Sequence, residues 1–174
     1  MTRKRDRFFA LVGALLFLVT SAAFTIAVVW QSTHQDNNAS ATNNTQSNKV
    51  QGTKLKDFTP VNTVNQLKIT DTKVGTGQVA KDGDTVSVLY TGAVASTGVI
   101  FQSTQDTGQP VSLQIKSGSV IEGWAKGIPG MKVGGTRRLL IPAAEAYGAN
   151  PPAGSGIPAN APLVFDVTLL KVGS

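Results

Sequence analysis

The reactive side chains most enzymes rely on are scarce in this chain. It has no cysteine and a single histidine, His34. Thiol catalysis, disulfides, lipidation at a cysteine, Ser-His-Asp hydrolysis and multi-histidine metal sites are therefore closed to it. Paired carboxylates, a phosphate loop and a metal-ligating cluster are also absent from the sequence, so no cofactor and no metal is expected. A series of aromatic and branched residues flanking turns stands out instead: Tyr90, Phe101, Val111, Val120, Ile121, Trp124, Tyr147, Ile157 and Phe165. Convergent aromatics with few polar groups suit a concave apolar site that binds without forming covalent bonds. The same residues would also serve as an ordinary hydrophobic core, and composition does not separate the two.

Bringing these residues together requires a frame. Residues 120–131 carry the one convincing amphipathic helix pattern after residue 60. Ile121, Trp124 and Ile128 fall at spacings of three and four, on one helical face. Ser119 is the expected N-cap, and Pro129-Gly130 the stop. A helix this short is marginal alone in water and needs a sheet to lie on. Strands are expected over 66–73, 85–91, 99–101, 111–115, 136–142 and 163–171. In the second, Val86, Val88 and Tyr90 share a face; in the last, Leu163, Phe165, Val167 and Leu169 oppose Asp166 and Thr168. Half-buried alternation of this kind marks an antiparallel sheet with one covered face. The expected class is α+β, a twisted antiparallel sheet wrapped around one short helix, preceded by one transmembrane helix.

That last element is read from the N-terminus. The net charge is +6, from 16 Lys+Arg and 10 Asp+Glu. Much of the excess is local, in Arg3, Lys4, Arg5 and Arg7 against Asp6. The rest forms no dense basic patch with interleaved aromatics, so no nucleic acid is expected as a partner. Residues 8–30 are uncharged and apolar, roughly 34 Å long as a helix, enough to cross a bilayer. Basic residues precede them, which places residues 1–7 in the cytoplasm and the remainder outside. Ser21-Ala22-Ala23 offers a signal-peptide cleavage site. The apolar run continues well past it, which favours an uncleaved anchor. Residues 31–59 are rich in Asn, Ser, Thr and Gln and read as a disordered linker. The globular domain is expected over 60–174.

Within that domain five motifs follow one another: Val88-Leu89-Tyr90-Thr91-Gly92, Val99-Ile100-Phe101, Val120-Ile121-Glu122-Gly123-Trp124, Ala146-Tyr147-Gly148 and Leu163-Val164-Phe165-Asp166-Val167. Their order and near-spacing resemble those of FKBP-type peptidyl-prolyl isomerases, over about residues 61 to 174. The resemblance implies a pocket between helix and sheet with Trp124 as its floor. It implies catalytic roles for Tyr90, Phe101, Gln102, Ile121, Trp124, Tyr147 and Phe165, and substrate contacts from Val111, Val120 and Ile157. The backbone N–H of Ile121 and the hydroxyl of Tyr147 resemble the family's carbonyl donors. Three departures stand out. Gln102 occupies a position usually held by Asp, and Val111 one usually held by an aromatic. The loop at 150–156 is about one residue longer and lacks a usual His. The implied partners are proline-containing unfolded or exported polypeptides, macrolide ligands, and a membrane through the N-terminal helix. A weakly active, chaperone-like binding module of the same fold is the rival reading, and a structural or adhesion domain a third.

Overall fold

The computed structural model describes residues 50–173. The basic tail at 1–7, the transmembrane anchor at 8–30 and linker residues 31–49 lie outside the described residues. Among the described residues no helix is long and apolar enough to cross a membrane.

The described chain builds one six-stranded antiparallel sheet. Its strands are β1 (Lys68–Lys73), β2 (Thr85–Val94), β3 (Ile100–Ser103), β4 (Val111–Gln114), β5 (Thr136–Ile141) and β6 (Leu163–Val172). The spatial order is β1-β5-β6-β2-β3, with β4 also paired to β2. The long strand β2 is shared: Thr85–Val88 pair with β4, and Thr91, Gly92 and Ala93 pair with β3. A register shift between Gly92 and Ala93 breaks the β2–β3 ladder. Bulges of this kind bend a strand and sharpen the sheet's twist.

The helix α1 (Glu122–Gly127) is shorter than the sequence pattern suggests. Its N-cap is Ile121, not Ser119, and no side chain caps it. Ile121 is extended (φ −60°, ψ 146°), and the Ser119 amide turns back to the Lys116 carbonyl. Ile128 serves as the C-cap and is fully buried. The helix is anchored from its other end by Arg137 on β5. The Arg137 Nη1 donates to the carbonyls of Gly127 (2.8 Å) and Pro129 (3.1 Å), while its Nε donates to Asp71 on β1 at 2.6 Å. A cation at a helix C-terminus also complements the macrodipole.

Two glycines set how closely helix and sheet approach. A Cβ on Gly123 would collide with the Ile141 side chain, and one on Gly127 would meet Leu139 Cδ2 at 2.7 Å. Spaced by four, both lie on the helical face that rests on β5. The core beneath contains Val86, Val88, Ile115, Ile128, Met131, Leu139, Ile141, Leu163, Val167 and Leu169.

The structure differs from expectation at residues 50–59, which the sequence reading assigned to a disordered linker. They form a strap across the opposite face of the sheet. Leu55 is buried there with Ala93, Ile100 and Val164, flanked by Val50 and Phe58. The strap is hydrogen-bonded to the β2–β3 hairpin: Gly52 N to Ile100 O, Ile100 N to Thr53 O and Leu55 N to Gly98 O, each 2.8 Å. Arg138 clasps its end. The guanidinium pairs with Asp166 on β6 at 2.7 Å, donates to the carbonyls of Lys56 and Asp57, and lies 5.6 Å from the Phe58 ring centre. The sheet is thus covered on both faces around β2, β3 and β6, which explains why Val164, on the expected polar side of β6, has no exposed surface.

Candidate functional site

Alternation along β2 turns Tyr90 inward, and α1 lays Trp124 beside it. β3 contributes Phe101 and the sheet's central strand β6 contributes Phe165. The four rings form one cluster. Phe165 stands edge-on to Trp124 (5.3 Å between centres, 84°) and to Phe101 (5.8 Å, 84°), and Tyr90 meets Trp124 edge-on at 5.2 Å and 82°. Edge-to-face pairs of this kind are each worth about 0.5–1.5 kcal/mol beyond area burial. Val111, Val120, Ile121 and Tyr147 pack half-exposed against the main hydrophobic core to which the rings belong, and Ile157 is buried within that core. The result is an aromatic floor with a partly open aliphatic and tyrosine rim.

Nine of the ten site residues expected from the sequence lie in or against this one core, and four of them, the rings, touch directly. Gln102 is the exception. Strand alternation buries Phe101 and leaves Gln102 half-buried opposite Gly92. Among the described residues no hydrogen bond joins the Gln102 amide to the Tyr90 hydroxyl.

Other residues, passed over in the sequence, hold Tyr90 in place. Thr104 Oγ1 accepts the Tyr90 N–H at 2.9 Å, and the Thr104 N–H donates to the Tyr90 carbonyl at 2.8 Å. One residue on, the Thr91 and Ser103 hydroxyls share a buried hydrogen bond of 2.9 Å. Gly92 is the third. A Cβ there would stand 2.7 Å from Phe101 Cζ and 2.7 Å from Phe165 Cε1, so only glycine lets the two rings cross this strand. The expected strand stops at residue 91, just short of Gly92; the structure carries β2 on to Val94, which makes Gly92 a point of close approach and not the start of a loop.

The polar groups of the site are few and uncharged. Burial pushes the Tyr90 hydroxyl well above the usual tyrosine range, and Tyr147 nearby pushes it further. Burial raises Tyr147 as well. Both therefore remain neutral donors at ordinary pH. The Trp124 Nε1–H is buried with no partner among the described residues. A buried unpaired donor costs about 1–3 kcal/mol, which a residue kept only for packing would not need to bear. No hydrogen bond from the Ile121 N–H is found among the described residues either. Its extended N-cap geometry frees that donor at the rim. Lys126 on α1 and Glu145, in the 3-10 turn Ala143–Glu145, pair at 2.8 Å and tie the Tyr147 loop to the helix.

The comparisons with known proteins agree with this geometry. Residues 76–170 match the sequence profile of FKBP-type peptidyl-prolyl cis-trans isomerases. The chain belongs to the FKBP family. An FK506-binding protein of Streptomyces anulatus is 44% identical over 106 residues, covering 61% of this chain and 86% of its own length. One from Neisseria meningitidis serogroup B is likewise 44% identical over 106 residues, 61% of this chain and 95% of the relative. An FK506-binding protein 4 of Neurospora crassa is 46% identical over 122 residues, and there this FKBP chain spans only 25% of the relative's length. Among solved structures, FkpA from Escherichia coli is similar at a TM-score of 0.55 and 39% identity, over 62% of this chain and 48% of that one. A peptidyl-prolyl cis-trans isomerase from Pseudomonas syringae pv. tomato aligns at 0.54 and 32%, over 62% and 76%. The matched FKBP segment contains every aromatic of the cluster but begins after the strap and β1.

Proposed function

We propose that this chain is a peptidyl-prolyl cis-trans isomerase that acts on proline-containing segments of unfolded, exported polypeptides while tethered to a membrane. The observation that carries the catalytic reading is the four-ring floor inside the family-matched segment, with the Ile121 N–H and the neutral Tyr147 hydroxyl as donors.

The chemistry follows from the amide. Rotation about a peptide bond faces a barrier of ~18–20 kcal/mol, and unaided X-Pro exchange takes tens to hundreds of seconds. The barrier is the loss of amide resonance. As the bond twists, its carbonyl oxygen gives up negative charge and needs water less. A floor of Tyr90, Phe101, Trp124 and Phe165 excludes water, favouring the twisted form over the planar one. The Ile121 N–H and Tyr147 hydroxyl would hold a neighbouring carbonyl, so that one end of the substrate stays fixed while the other turns. No covalent bond forms, so no nucleophile is required. Macrolides carrying a similar amide and carbonyl would occupy the same floor and compete.

The test is isomerisation of a short X-Pro peptide followed by exchange spectroscopy. Saturable acceleration, lost on competition by a macrolide, is expected. Binding of the peptide without acceleration would replace this reading with the chaperone-like module, which Gln102 and Val111 favour by lacking the family's carboxylate and aromatic. The tether rests on residues 8–30 and on Arg3, Lys4, Arg5 and Arg7 before them. Protease added outside intact cells should release a soluble fragment beginning within residues 31–49. A mature protein starting near Phe24 and free of membrane would replace the anchor with a signal peptide.

A further inference from the structure

A groove of about 360 Å³ opens beside the aromatic cluster, where the two hydrophobic clusters of the domain meet. One wall is the β2–β3 hairpin, with Val94, Thr97, Val99 and Phe101. The facing walls are the strap at Gln51 and Gly52 and the loop at Ser155, Gly156 and Pro158. No lining side chain is charged, and apolar surface predominates. The hydroxyl oxygens present each already accept a backbone N–H: Thr97 Oγ1 from Val99 at 3.1 Å, and Ser155 Oγ from Ile157 at 3.2 Å. Val99 remains 36% exposed, one of few large apolar side chains so placed. The walls are backbone-bonded through Gly52 and Ile100, so the groove is part of the folded frame. Its strap wall lies outside the family-matched residues 76–170.

The groove adjoins the site. Phe101 belongs to both, and Ile157, buried with the rings, sits between the lining residues Gly156 and Pro158. Two ring-to-ring steps of 5.3 and 5.8 Å lead from Trp124 through Phe165 to Phe101. An extended chain advances at most ~3.3–3.6 Å per residue. A polypeptide whose proline lies on Trp124 therefore reaches the groove two to four residues away.

We propose that this groove is a second substrate subsite, which takes one uncharged apolar side chain two to four residues from the proline. It rests on the isomerase reading above. It makes the enzyme selective for prolines in apolar stretches, the segments an unfolded polypeptide exposes and a folded one buries.

The experiment compares, on the full chain, two peptides with the same X-Pro bond. One carries Leu at the second, third and fourth positions on both sides; the other carries Ala at all of them. The Leu peptide should show kcat/KM about tenfold higher, equivalent to about 1.4 kcal/mol. Val99→Asp puts a charge in the groove and should bring the Leu peptide down to the Ala value, leaving the Ala peptide unchanged. Gln51→Trp, at an exposed strap position, fills the groove sterically and should do the same. Val99→Ile should retain the preference. Equal turnover of the two peptides by the wild type, or equal losses on both in the variants, overturns the subsite. A Val99→Asp variant that instead converts a dimer to a monomer assigns the groove to a second copy and also overturns it. Turnover of neither peptide removes the isomerase reading itself, and the subsite with it.

Discussion

Gly92→Ala tests whether the aromatic floor depends on the strand beneath it. The added Cβ would stand 2.7 Å from Phe101 Cζ, 2.7 Å from Phe165 Cε1 and 3.0 Å from Phe101 Cε2. Ordinary contact begins near 3.4 Å, so both rings must retreat by about 0.7 Å. Phe165 cannot move alone, because Trp124, Tyr90 and Phe101 all contact it. Overpacking of this kind costs about 1–3 kcal/mol. Alanine restricts the unfolded chain and returns about 0.4–1 kcal/mol, since Gly92 does not need a positive φ. The net is a loss of about 1–2 kcal/mol, read as a Tm lower by ~3–10 °C in a domain of this size. Displacement of the walls should cut kcat/KM more deeply, about tenfold, since a 1 Å misplacement can cost ~100-fold. The assay pairs calorimetry with peptide isomerisation on the same preparation. A Gly92→Ala protein with wild-type Tm and wild-type kcat/KM would refute the claim that the two rings need a bare strand at this point.

Three further outcomes are expected. Trp124→Ala should destabilise by about 3–5 kcal/mol and weaken peptide binding; Trp124→Leu should recover much of the stability and little of the activity, and full activity in the Leu variant would reduce Trp124 to packing. Gln102→Asp should raise kcat/KM about tenfold, or about 1.4 kcal/mol, by giving the Tyr90 hydroxyl a charged acceptor. It should also add an acid limb near the ordinary aspartate range to a profile that is otherwise flat from pH 5 to 9, because both site tyrosines titrate above their usual range; a folded variant with unchanged rate would show that the site tolerates the neutral amide. Asp71 is held below the usual carboxylate range by its hydrogen bonds from Arg137, against a smaller effect of burial. The unfolded chain then binds more protons than the folded one just below pH 4, so this contribution is present above that pH and lost as pH falls. Tm measured from pH 2 to 6 should fall less steeply in Asp71→Asn than in the wild type, modestly so because Asp71 is well exposed.

Alternation made β2 and β6 legible, because their buried residues face one continuous core: Val86, Val88 and Tyr90 in one, Leu163, Phe165, Val167 and Leu169 in the other. The helix start was not legible. Helical spacing carries on through Ile121 and Ile128, which are buried or half-buried yet lie at the caps, and Ser119 has the right chemistry in the wrong conformation. The strap was invisible for a different reason. Its apolar residues, Val50, Leu55 and Phe58, are sparse and follow no period. What orders them is Ile100, Val164 and Arg138, all distant in sequence. Among site residues, the aromatics announced themselves by motif. Thr104 and Ser103 act only through backbone and hydroxyl bonds across β2, and nothing in a polar loop sequence distinguishes such partners from their neighbours.

The position of β6 has a consequence for how the domain comes into being. β6 follows the other five described strands in sequence yet sits in the middle of the sheet, between β5 and β2, and it carries Phe165, Val164 and Asp166 to the floor, the strap and Arg138. Until it emerges, β1–β5 and β2–β3–β4 are two separate fragments with exposed apolar faces. Most close contacts join segments distant in sequence, so folding is expected to be slow by comparison with local topologies. Assembly of the domain is therefore completed by inserting a central strand between two preformed fragments, not by adding one at an edge.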